Sequence, residues 1–450
     1  MRWHFAGIGG SGMSAIAFYL LGRGQEVSGS DRLFDNDGGA SIRKALEDAG
    51  ARIFPQDGSG IAPDVRLVVS TAIEETVPEV KAARALGCEI VHRSEALAEI
   101  ANSQKTIAVS GTSGKSTVTA MVFRILRAAG RDPSVISGGV LKELSREGHW
   151  GNAWGGSGEW LVIEADESDG SLVRYAPEIG VMLNLDRDHK ELEELRVLFR
   201  TFQQRSKRFV ANGDRTECVE IGGGDASYFG IRRHTHPAVE EFDLSSDEVS
   251  FRIGGHLCVV PFPGRHMIEN ALAAILASLE AGVPLEVATK GLASFAGVGR
   301  RHELIGVARD VAVYDDFAHN PAKVEAAIAA AHLVAGSGRL LAVFQPHGYG
   351  PLRFLLDDFV EAFAKALHPR DHLWIAPVYD AGGTADRSIS SQDLARRLAD
   401  RGVAVDAPEN RTLIPASIAA KATAGDLVYS MGARDPELPA FARAILESLA

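Results

Sequence analysis

The sequence has few cysteines, no long basic run and no long apolar segment. Its three cysteines, Cys88, Cys218 and Cys258, lie far apart and form no CxxC pair, so they indicate neither a disulfide framework nor a zinc site. The formal net charge of -12 argues against sequence-independent binding to nucleic acid, which requires a basic surface. No stretch reaches the ~20 apolar residues of a membrane span, and the N-terminus does not resemble a secretory signal. We expect a cytoplasmic protein, monomer or homodimer, that handles small molecules and binds neither nucleic acid nor membranes.

The length and the spacing of the apolar runs predict several α/β domains. A single hydrophobic core stops growing at roughly 250 to 300 residues. A chain of 450 residues that is 46% hydrophobic therefore calls for more than one core. Short apolar runs alternate with longer helical stretches, which is typical of parallel α/β folds. A polar break at residues 102–103 and a glycine-rich joint at residues 294–299 divide the chain, and we predict domains at residues 1–101, 102–299 and 300–450.

The first glycine-rich segment, GIGGSG at residues 7–12, follows a short apolar run and precedes a predicted helix at about 13–21. Asp31 comes about twenty residues later, after a second predicted strand, which fits the dinucleotide fingerprint. Glycines let the backbone approach a pyrophosphate, and the free N–H groups of a helix N-terminus attract its charge. The pattern predicts a pyrophosphate ligand, and NAD, FAD and a UDP-sugar all carry that group. A strand-to-helix turn without a ligand is the structural alternative.

The second glycine-rich segment, GTSGKST at residues 111–117, lies between a predicted strand at 106–110 and a helix. Such a loop cradles phosphates with its backbone N–H groups, while Lys115 meets the terminal phosphates and the Ser116 hydroxyl can bind Mg²⁺. The standard form, GxxxxGK followed by Ser or Thr, would have glycine where Val109 stands. The first glycine therefore comes two residues late, and we predict a tighter phosphate loop.

Acidic residues follow two further predicted strands. The strand at 160–163 runs into EADESD, which supplies four carboxylates, and the strand at 181–184 runs into DRDH, which ends at His189. Such a cluster alone is usually a solvated loop. Because open α/β sheets bind ligands at the carboxyl ends of their strands, we expect these groups beside the phosphate loop, where Mg²⁺ needs oxygen ligands.

Segments spread over nearly the whole chain, in a fixed order, resemble one family. They are HFAGIGGSGMSAIA, SGSD, GTSGKST, EADESD, NLDRDH, GRHMIEN, GVGRRHE, VYDDFAHNP and VFQPH. Together they resemble the Mur ligase family, and within it the branch that joins L-alanine to UDP-N-acetylmuramate. The resemblance implies an α/β protein with a Rossmann-like N-terminal domain, a central P-loop ATPase-like domain with a mostly parallel sheet, and a Rossmann-like α/β C-terminal domain.

The resemblance also implies a role for each of the motif residues. The UDP-sugar would be bound by Gly9, Gly10, Ser11, Gly12, Met13, Ser30, Asp31, Ser70 and Thr71. ATP would be bound by Gly111, Thr112, Ser113, Gly114, Lys115, Ser116, Thr117, Asn270, Arg301 and Asp316, with Asn270 at the adenine. One Mg²⁺ would be held by Ser116 and Glu164 and a second by His189, and the amino acid would lie near His319, His347 and Arg353. The implied catalytic residues are Lys115, Glu164, His189, Arg301 and Asp316.

The implied activity is an ADP-forming ligation in peptidoglycan precursor synthesis. A carboxylate is a poor acylating agent, so it first takes a phosphoryl group from ATP, and the amine of the amino acid then attacks the acyl phosphate. Mg²⁺ and Lys115 would stabilise the charge of the phosphoryl-transfer transition state.

Several positions depart from the L-alanine branch. Ser113 and Ser116 replace His and Thr of GTHGKT, Met267 replaces Asn of GRHN, and Asn320 replaces a second His. Where the family reads HRYTRTR, residues 347–353 read HGYGPLR, so two of three arginines are lost. Since an arginine can bind a carboxylate or phosphate through two N–H groups and glycine cannot, this change weakens the assignment to L-alanine more than the assignment to ligation.

Three alternatives remain open at this point. The first is a divergent ligase that uses another amino acid or a peptide, as murein peptide ligases do. The second is a nucleotide-binding paralogue that has lost the chemistry. The third is a nicotinamide dehydrogenase, which the first glycine segment supports but which leaves GTSGKST and the acidic strand ends without a function.

Overall fold

The computed structural model of the chain describes residues 2–34, 39–168, 170–186, 191–232, 238–380, 382 and 385–450. It contains three successive α/β units whose main sheets are mostly parallel. This confirms the predicted three-domain α/β architecture. The boundaries near residues 101 and 299 stay predictions. Within the described ranges, no helix combines the length and the apolar character that crossing a bilayer requires.

The N-terminal unit is a parallel sheet flanked by helices. Its strands are β1 (Arg2–Ala6), β2 (Val27–Ser30), β3 (Arg52–Phe54), β4 (Val65–Val69) and β5 (Glu89–His92), and its helices are α1 (Ser11–Gly22), α2 (Ala40–Asp48), α3 (Pro78–Leu86) and α4 (Arg93–Asn102). The strand order is β3-β2-β1-β4-β5. The chain builds the sheet outward from β1 to one edge and then returns to the other side of β1 with β4, so the topological switch point lies between β1 and β4. Ligands of open α/β sheets bind at such a switch point, and the first glycine segment lies there, between β1 and α1.

The central unit is built on a seven-stranded sheet of order β12-β11-β10-β6-β9-β7-β8, in which β8 runs antiparallel to β7. The strands are β6 (Lys105–Ser110), β7 (Ser134–Ile136), β8 (Ala153–Trp154), β9 (Trp160–Glu164), β10 (Ile179–Met182), β11 (Arg208–Asn212) and β12 (Ser227–Phe229). The helices among them are α5 (Lys115–Ala128), α6 (Lys142–Arg146), α7 (Leu192–Arg205) and α8 (Thr216–Gly222), with a short 3-10 turn at Ser171–Arg174.

A small antiparallel sheet and two helices complete the central unit. They are β13 (Val239–Leu244), β14 (Val249–Ile253), β15 (His256–Val260), α9 (Arg265–Glu280) and α10 (Leu285–Leu292). Helices α5 and α9 pack against each other through buried aliphatic side chains. Because α5 begins at the phosphate loop, this packing brings the first turns of α9, including Asn270, beside that loop.

The C-terminal unit has a six-stranded sheet of order β16-β17-β21-β18-β19-β20, parallel except for the hairpin of β16 and β17. Its strands are β16 (Glu303–Ala308), β17 (Val311–Asp316), β18 (Leu340–Phe344), β19 (His372–Ile375), β20 (Val405–Asp406) and β21 (Leu427–Met431). Its helices are α11 (Pro321–Ala335), α12 (Tyr349–Phe354), α13 (Leu356–Ala366), α14 (Ser391–Asp400), α15 (Ile414–Lys421) and α16 (Leu438–Leu449), with a 3-10 turn at Arg411–Leu413.

A buried histidine in β1 predicts a pH-dependent loss of stability. His4 is 0% exposed, its Nδ1 lies 2.9 Å from Ser28 Oγ, and its Nε2 has no hydrogen-bond partner among the described residues. Burial lowers the pKa of His4 from 6.5 to about 4, so the unfolded chain binds a proton more readily than the folded one below pH 6.5. Keeping His4 neutral costs no free energy of unfolding above 6.5, the pKa of His4 in the unfolded chain. As the pH falls from there to about 4, the pKa of His4 in the folded protein, the free energy of unfolding decreases by about 3 kcal/mol.

Urea unfolding of the wild type and of His4→Gln, at neutral pH and near the folded pKa of His4, measures this contribution. We expect the wild type to lose about 3 kcal/mol more free energy of unfolding than the variant, because glutamine does not titrate. An identical pH dependence in the two proteins would show that His4 is not the responsible group.

Candidate functional site

A cleft between the central and C-terminal units holds most of the residues predicted to bind ATP, Mg²⁺ and the amino acid. Neighbouring strands β10, β6 and β9 all run in the same direction, so their carboxyl ends meet at one edge of the central sheet. The phosphate loop leaves β6 there, and the acidic segments leave β9 and β10. One cavity at this edge encloses about 440 Å³ and is also lined by C-terminal residues, including Arg301, His319, His347 and Arg434.

Two glycines allow the phosphate loop its tight path. Gly111 and Gly114 have φ angles of +137° and +88°, values that side chains rarely tolerate. A Cβ atom at Gly114 would lie 2.7 Å from Asn270 Oδ1, so the loop and α9 also approach too closely for a larger residue. The departure from the standard motif is therefore compatible with a strand-loop-helix turn that borders the cleft.

The segment after β10 fastens the phosphate loop. Asn184 Oδ1 accepts hydrogen bonds from Thr112 Oγ1 at 2.9 Å and from the Ser113 N–H at 2.8 Å. Thr112 Oγ1 in turn accepts from the Asp186 N–H at 3.0 Å. The polar residues of this segment thus hold the loop backbone in place. His189, predicted to bind Mg²⁺, lies outside the described residues.

Lys115 begins α5 and forms a nearly buried ion pair. Its Nζ donates to Glu167 Oε2 at 2.7 Å and to the Gly111 carbonyl at 2.8 Å, and lies 3.8 Å from Asp166 Oδ1. Burial opposes the charged form of this ammonium, but the attraction of Glu167 and Asp166 outweighs it and raises the pKa of Lys115. The lysine is therefore charged at neutral pH and is directed along the inner side of the loop.

Glu164, at the end of β9, faces Ser116 of the phosphate loop. Glu164 Oε2 accepts from Ser116 Oγ at 3.0 Å, while Oε1 accepts from Ser137 Oγ at 2.5 Å and from the Gly138 N–H at 2.8 Å. Ser137 and Gly138 thereby fix Oε1 of the carboxylate, while Oε2 faces the Ser116 hydroxyl. Hard divalent cations bind such oxygen pairs, so Ser116 and Glu164 have the donor chemistry that Mg²⁺ prefers.

The C-terminal unit contributes Arg301 and Asp316 to the same cleft. Asp316 Oδ2 accepts from the His302 N–H at 2.7 Å, and Asp316 Oδ1 accepts from the Ala318 N–H at 2.8 Å. The Arg301 guanidinium lies over the Phe317 ring at 4.8 Å. Burial lowers the pKa of Arg301, opposed by Asp316 and Glu164, and the side chain remains charged at neutral pH. The cleft therefore presents a cation opposite the phosphate loop.

His319 and His347 lie side by side in the cleft, with ring centroids 4.9 Å apart. His319 Nδ1 lies 2.8 Å from the Phe317 carbonyl, and its Nε2 lies 3.2 Å from Lys323 Nζ. Burial, followed by the charge of Lys323, holds the pKa of His319 well below its usual range. A neutral ring that donates from Nδ1 can accept from the lysine at Nε2. Asn320, which replaces a histidine of the family, caps α11 by accepting from the Lys323 N–H at 2.9 Å.

Arg353 lies away from these residues. It is in α12, where its guanidinium donates to the Asp386 carbonyl and to Ser388 Oγ, each at 3.0 Å, and pairs with the Asp386 carboxylate at 3.1 Å. Arg353 does not line the cleft between the central and C-terminal units. Its predicted contact with the amino acid stays a prediction, and the structure engages it with the segment before α14.

Asp31, the acidic residue of the dinucleotide fingerprint, holds the first glycine loop through hydrogen bonds. Asp31 Oδ2 accepts from the Gly9 N–H at 2.9 Å and Asp31 Oδ1 from the Leu33 N–H at 3.0 Å, so this buried carboxylate stabilises the loop itself. Ser30 is also buried, and its hydroxyl donates to Glu79 at 2.7 Å. The other predicted UDP-sugar residues lie at the start of α1 (Gly10, Ser11, Gly12 and Met13) or just after β4 (Ser70 and Thr71).

Sequence reasoning missed Ser137, Lys323 and Arg434, which all line or support the cleft. A signal existed for Ser137, because the run Ser-Gly-Gly directly follows β7, a neighbour of β9 in the same sheet. Lys323, in the first turn of α11, and Arg434, after β21, are single basic residues, and their positions depend on how the C-terminal unit faces the central one.

Comparisons with known proteins cover almost the whole chain. Models of the Mur ligase family match residues 2–105 (Mur ligase family, catalytic domain), 109–278 (Mur ligase middle domain) and 300–434 (Mur ligase, glutamate ligase domain). The chain is 36% identical to a UDP-N-acetylmuramate--L-alanine ligase of Synechococcus sp. (strain RCC307), over 96% of this chain and 93% of that protein. It is 37% identical to that of Acidithiobacillus ferrooxidans (strain ATCC 53993 / BNL-5-31), over 96% and 94%.

A solved structure with the same fold is the UDP-N-acetylmuramate-alanine ligase of Thermotoga maritima. The TM-score is 0.80 at 24% sequence identity, and the match covers 99% of this chain and 98% of that one. At this identity the likeness supports the fold alone, in which three α/β units follow one another along the chain.

Proposed function

The chain belongs to the Mur ligase family, and from this membership we propose that it is an ATP-dependent, ADP-forming ligase that joins UDP-N-acetylmuramate to an amino acid. L-Alanine is the proposed amino acid, which the names of the relatives support. The reaction is a step of peptidoglycan precursor synthesis, in the cytoplasm, by a monomer or homodimer. UDP-N-acetylmuramate would be bound through its pyrophosphate at the first glycine loop.

One observation carries this proposal: charged groups from two units converge on the phosphate loop. Lys115 and Glu164 come from the central unit, Arg301 and Asp316 come from the C-terminal unit, and all lie in the same cleft. Phosphoryl transfer to a carboxylate brings two anions together, so a site for this reaction needs preorganised positive charge. A protein that only bound a nucleotide would not need the second unit to supply an arginine.

The proposed reaction has two steps. A carboxylate oxygen of UDP-N-acetylmuramate attacks the γ-phosphorus of ATP, the bond from that phosphorus to the β,γ-bridging oxygen breaks, and ADP leaves. The amine of the amino acid then attacks the carbonyl carbon of the acyl phosphate and loses a proton. The bond between the carbonyl carbon and the oxygen that bridges to phosphorus breaks. Inorganic phosphate therefore leaves with one oxygen of the original carboxylate.

Each cleft residue has a proposed part in the first step. The N–H groups of the phosphate loop and the Lys115 ammonium would hold the β- and γ-phosphates. Arg301 would approach the same phosphates from the opposite wall. Asp316, which is fixed by two backbone N–H groups, would orient the nucleotide, and Asn270 would face its base. His319, held neutral by burial, would keep Lys323 in position at the amino-acid end of the cleft.

Mg²⁺ would be held by Ser116 and Glu164. Their Oγ and Oε2 atoms lie 3.0 Å apart beside the phosphate loop, and hydroxyl and carboxylate oxygens suit a hard cation. When bound, the ion supplies positive charge that reduces the repulsion between the carboxylate and the phosphate. A second ion, expected at His189, falls outside the described residues.

ADP release and product mass test the proposed function. Protein, ATP and Mg²⁺ are incubated with UDP-N-acetylmuramate and a panel of L-alanine, glycine, L-serine and short peptides. We expect L-alanine to give the fastest ADP release and a product heavier by one alanine residue. Preference for a tripeptide would reassign the protein to a peptide ligase, and background ADP release with every acceptor would contradict ligation.

A further inference from the structure

Most cations of the cleft are already paired within the protein. Lys115 pairs with Glu167, and Arg300 donates from Nε to Asp315 at 2.9 Å and to the carbonyls of Gly432 and Ala433. Arg434 lines the same cavity but, among the described residues, its guanidinium makes no hydrogen bond and no ion pair. An exposed guanidinium at the wall of a cavity, with its donors unused, is suited to an anionic ligand.

The backbone around Arg434 is fixed on both sides. Before it, the carbonyls of Gly432 and Ala433 accept from Arg300 at 2.8 and 3.1 Å. After it, the buried carboxylate of Asp435 pairs with Arg411. The side chain therefore projects from a short segment that is tied down at each end. A guanidinium on a rigid support loses less conformational freedom on binding than one on a mobile loop.

The Arg434 guanidinium lies next to Gly348, where the family segment HRYTRTR has an arginine. A Cβ atom built at Gly348 would lie 3.8 Å from Arg434 Nη1. The missing side chain at residue 348 thus leaves space that Arg434 enters from the segment after β21. The adjacent His347 is buried and faces His319, so this end of the cavity lies away from the base-binding part of the cleft.

We propose that Arg434 binds the α-carboxylate of the incoming amino acid. The inference rests on the proposed function, because it names the residue that recognises the second substrate of that reaction. The phosphates of ATP are matched by the phosphate loop, Lys115 and Arg301 of the same cavity. The amino acid brings a separate negative charge, and the unpaired guanidinium beside His347 complements it.

Steady-state kinetics of Arg434→Gln test this role. The KM for L-alanine should rise roughly 10- to 100-fold, the range expected for loss of a charged hydrogen bond, while the KM values for ATP and UDP-N-acetylmuramate stay near those of the wild type. Arg434→Lys should recover part of the loss, because it restores the charge without the planar pair of donors. Arg443→Gln is the matched control, since Arg443 is an exposed arginine of α16 outside the cavity.

A substrate analogue separates recognition of the carboxylate from a general structural effect. L-Alaninamide has the amine but lacks the carboxylate, so the wild type should use it far less efficiently than L-alanine. In Arg434→Gln this preference should largely disappear. A wild type that forms the product, together with a variant whose KM and preference are unchanged, would overturn the role of Arg434 alone. A wild type that forms no product would overturn both this inference and the proposed function.

Discussion

Replacement of Lys115 by alanine is expected to lower turnover by at least about 10²- to 10³-fold, the usual cost of removing one preorganised charge from a transition state. The ammonium lies at the inner side of the phosphate loop, where Gly111 and Glu167 fix its position. Nothing else in α5 can take its place, because the next basic residue of that helix, Arg124, is about two and a half turns away and pairs with Glu143. ADP release under saturating substrates measures the effect.

The same substitution affects folding, and a second variant separates the two effects. Glu167 has a side chain that is 5% exposed, so removal of Lys115 leaves a buried carboxylate without its cation. Breaking such a pair costs about 3 to 5 kcal/mol. The double variant Lys115→Ala/Glu167→Gln should recover much of the thermal stability without recovering turnover. Near-normal turnover in a folded single variant would remove Lys115 from the mechanism.

Glu164→Gln is expected to lower turnover by about 10²-fold or more and to shift activation to higher Mg²⁺ concentrations. Glutamine keeps the size of the side chain but removes the charge that faces Ser116. Its amide oxygen can keep the bonds from Ser137 and Gly138, but its amide nitrogen then faces Ser116 as a donor and cannot bind a cation. Loss of one charged metal ligand beside the transferring phosphate removes transition-state stabilisation. Initial rates across a Mg²⁺ titration measure both changes.

Glu159→Gln is the control for this variant. Glu159 lies just before the start of the same strand, and its carboxylate pairs with Lys105 on the surface at 2.7 Å. Its replacement should leave turnover and the Mg²⁺ response unchanged, since an exposed ion pair contributes little. Equal behaviour of the two variants would contradict the assignment of Glu164 to the metal.

Much of the fold follows from local patterns in the sequence. The apolar runs before the two glycine segments become β1 and β6, and the run at residues 340–344 becomes β18. Most residues of these strands are buried, and the continuous apolar run of β18 is the strongest of the three signals. The segment between residues 222 and 256 carries a weaker signal, because the exposed strand β13 alternates weakly between polar and apolar residues.

The candidate site was only partly predictable, because several contacts depend on how distant segments meet. The motif around Lys115 indicates the phosphate loop. The pairing of Lys115 with Glu167 is a tertiary contact, which the motif alone does not predict. Asp31 matches the dinucleotide fingerprint in the sequence, but only the structure shows that its carboxylate holds the loop by accepting from the Gly9 N–H. Arg434 carried no sequence signal, since its significance comes from the side chain that is missing at Gly348.

Transfer of a carboxylate oxygen to phosphate tests the central claim most directly. UDP-N-acetylmuramate labelled with oxygen-18 in its carboxylate is incubated with the protein, ATP, Mg²⁺ and L-alanine, and the inorganic phosphate is analysed by mass spectrometry. We predict one labelled oxygen in each phosphate released, because the acyl phosphate breaks at the carbon–oxygen bond. Phosphate without label, formed together with the amide product, would contradict activation through an acyl phosphate.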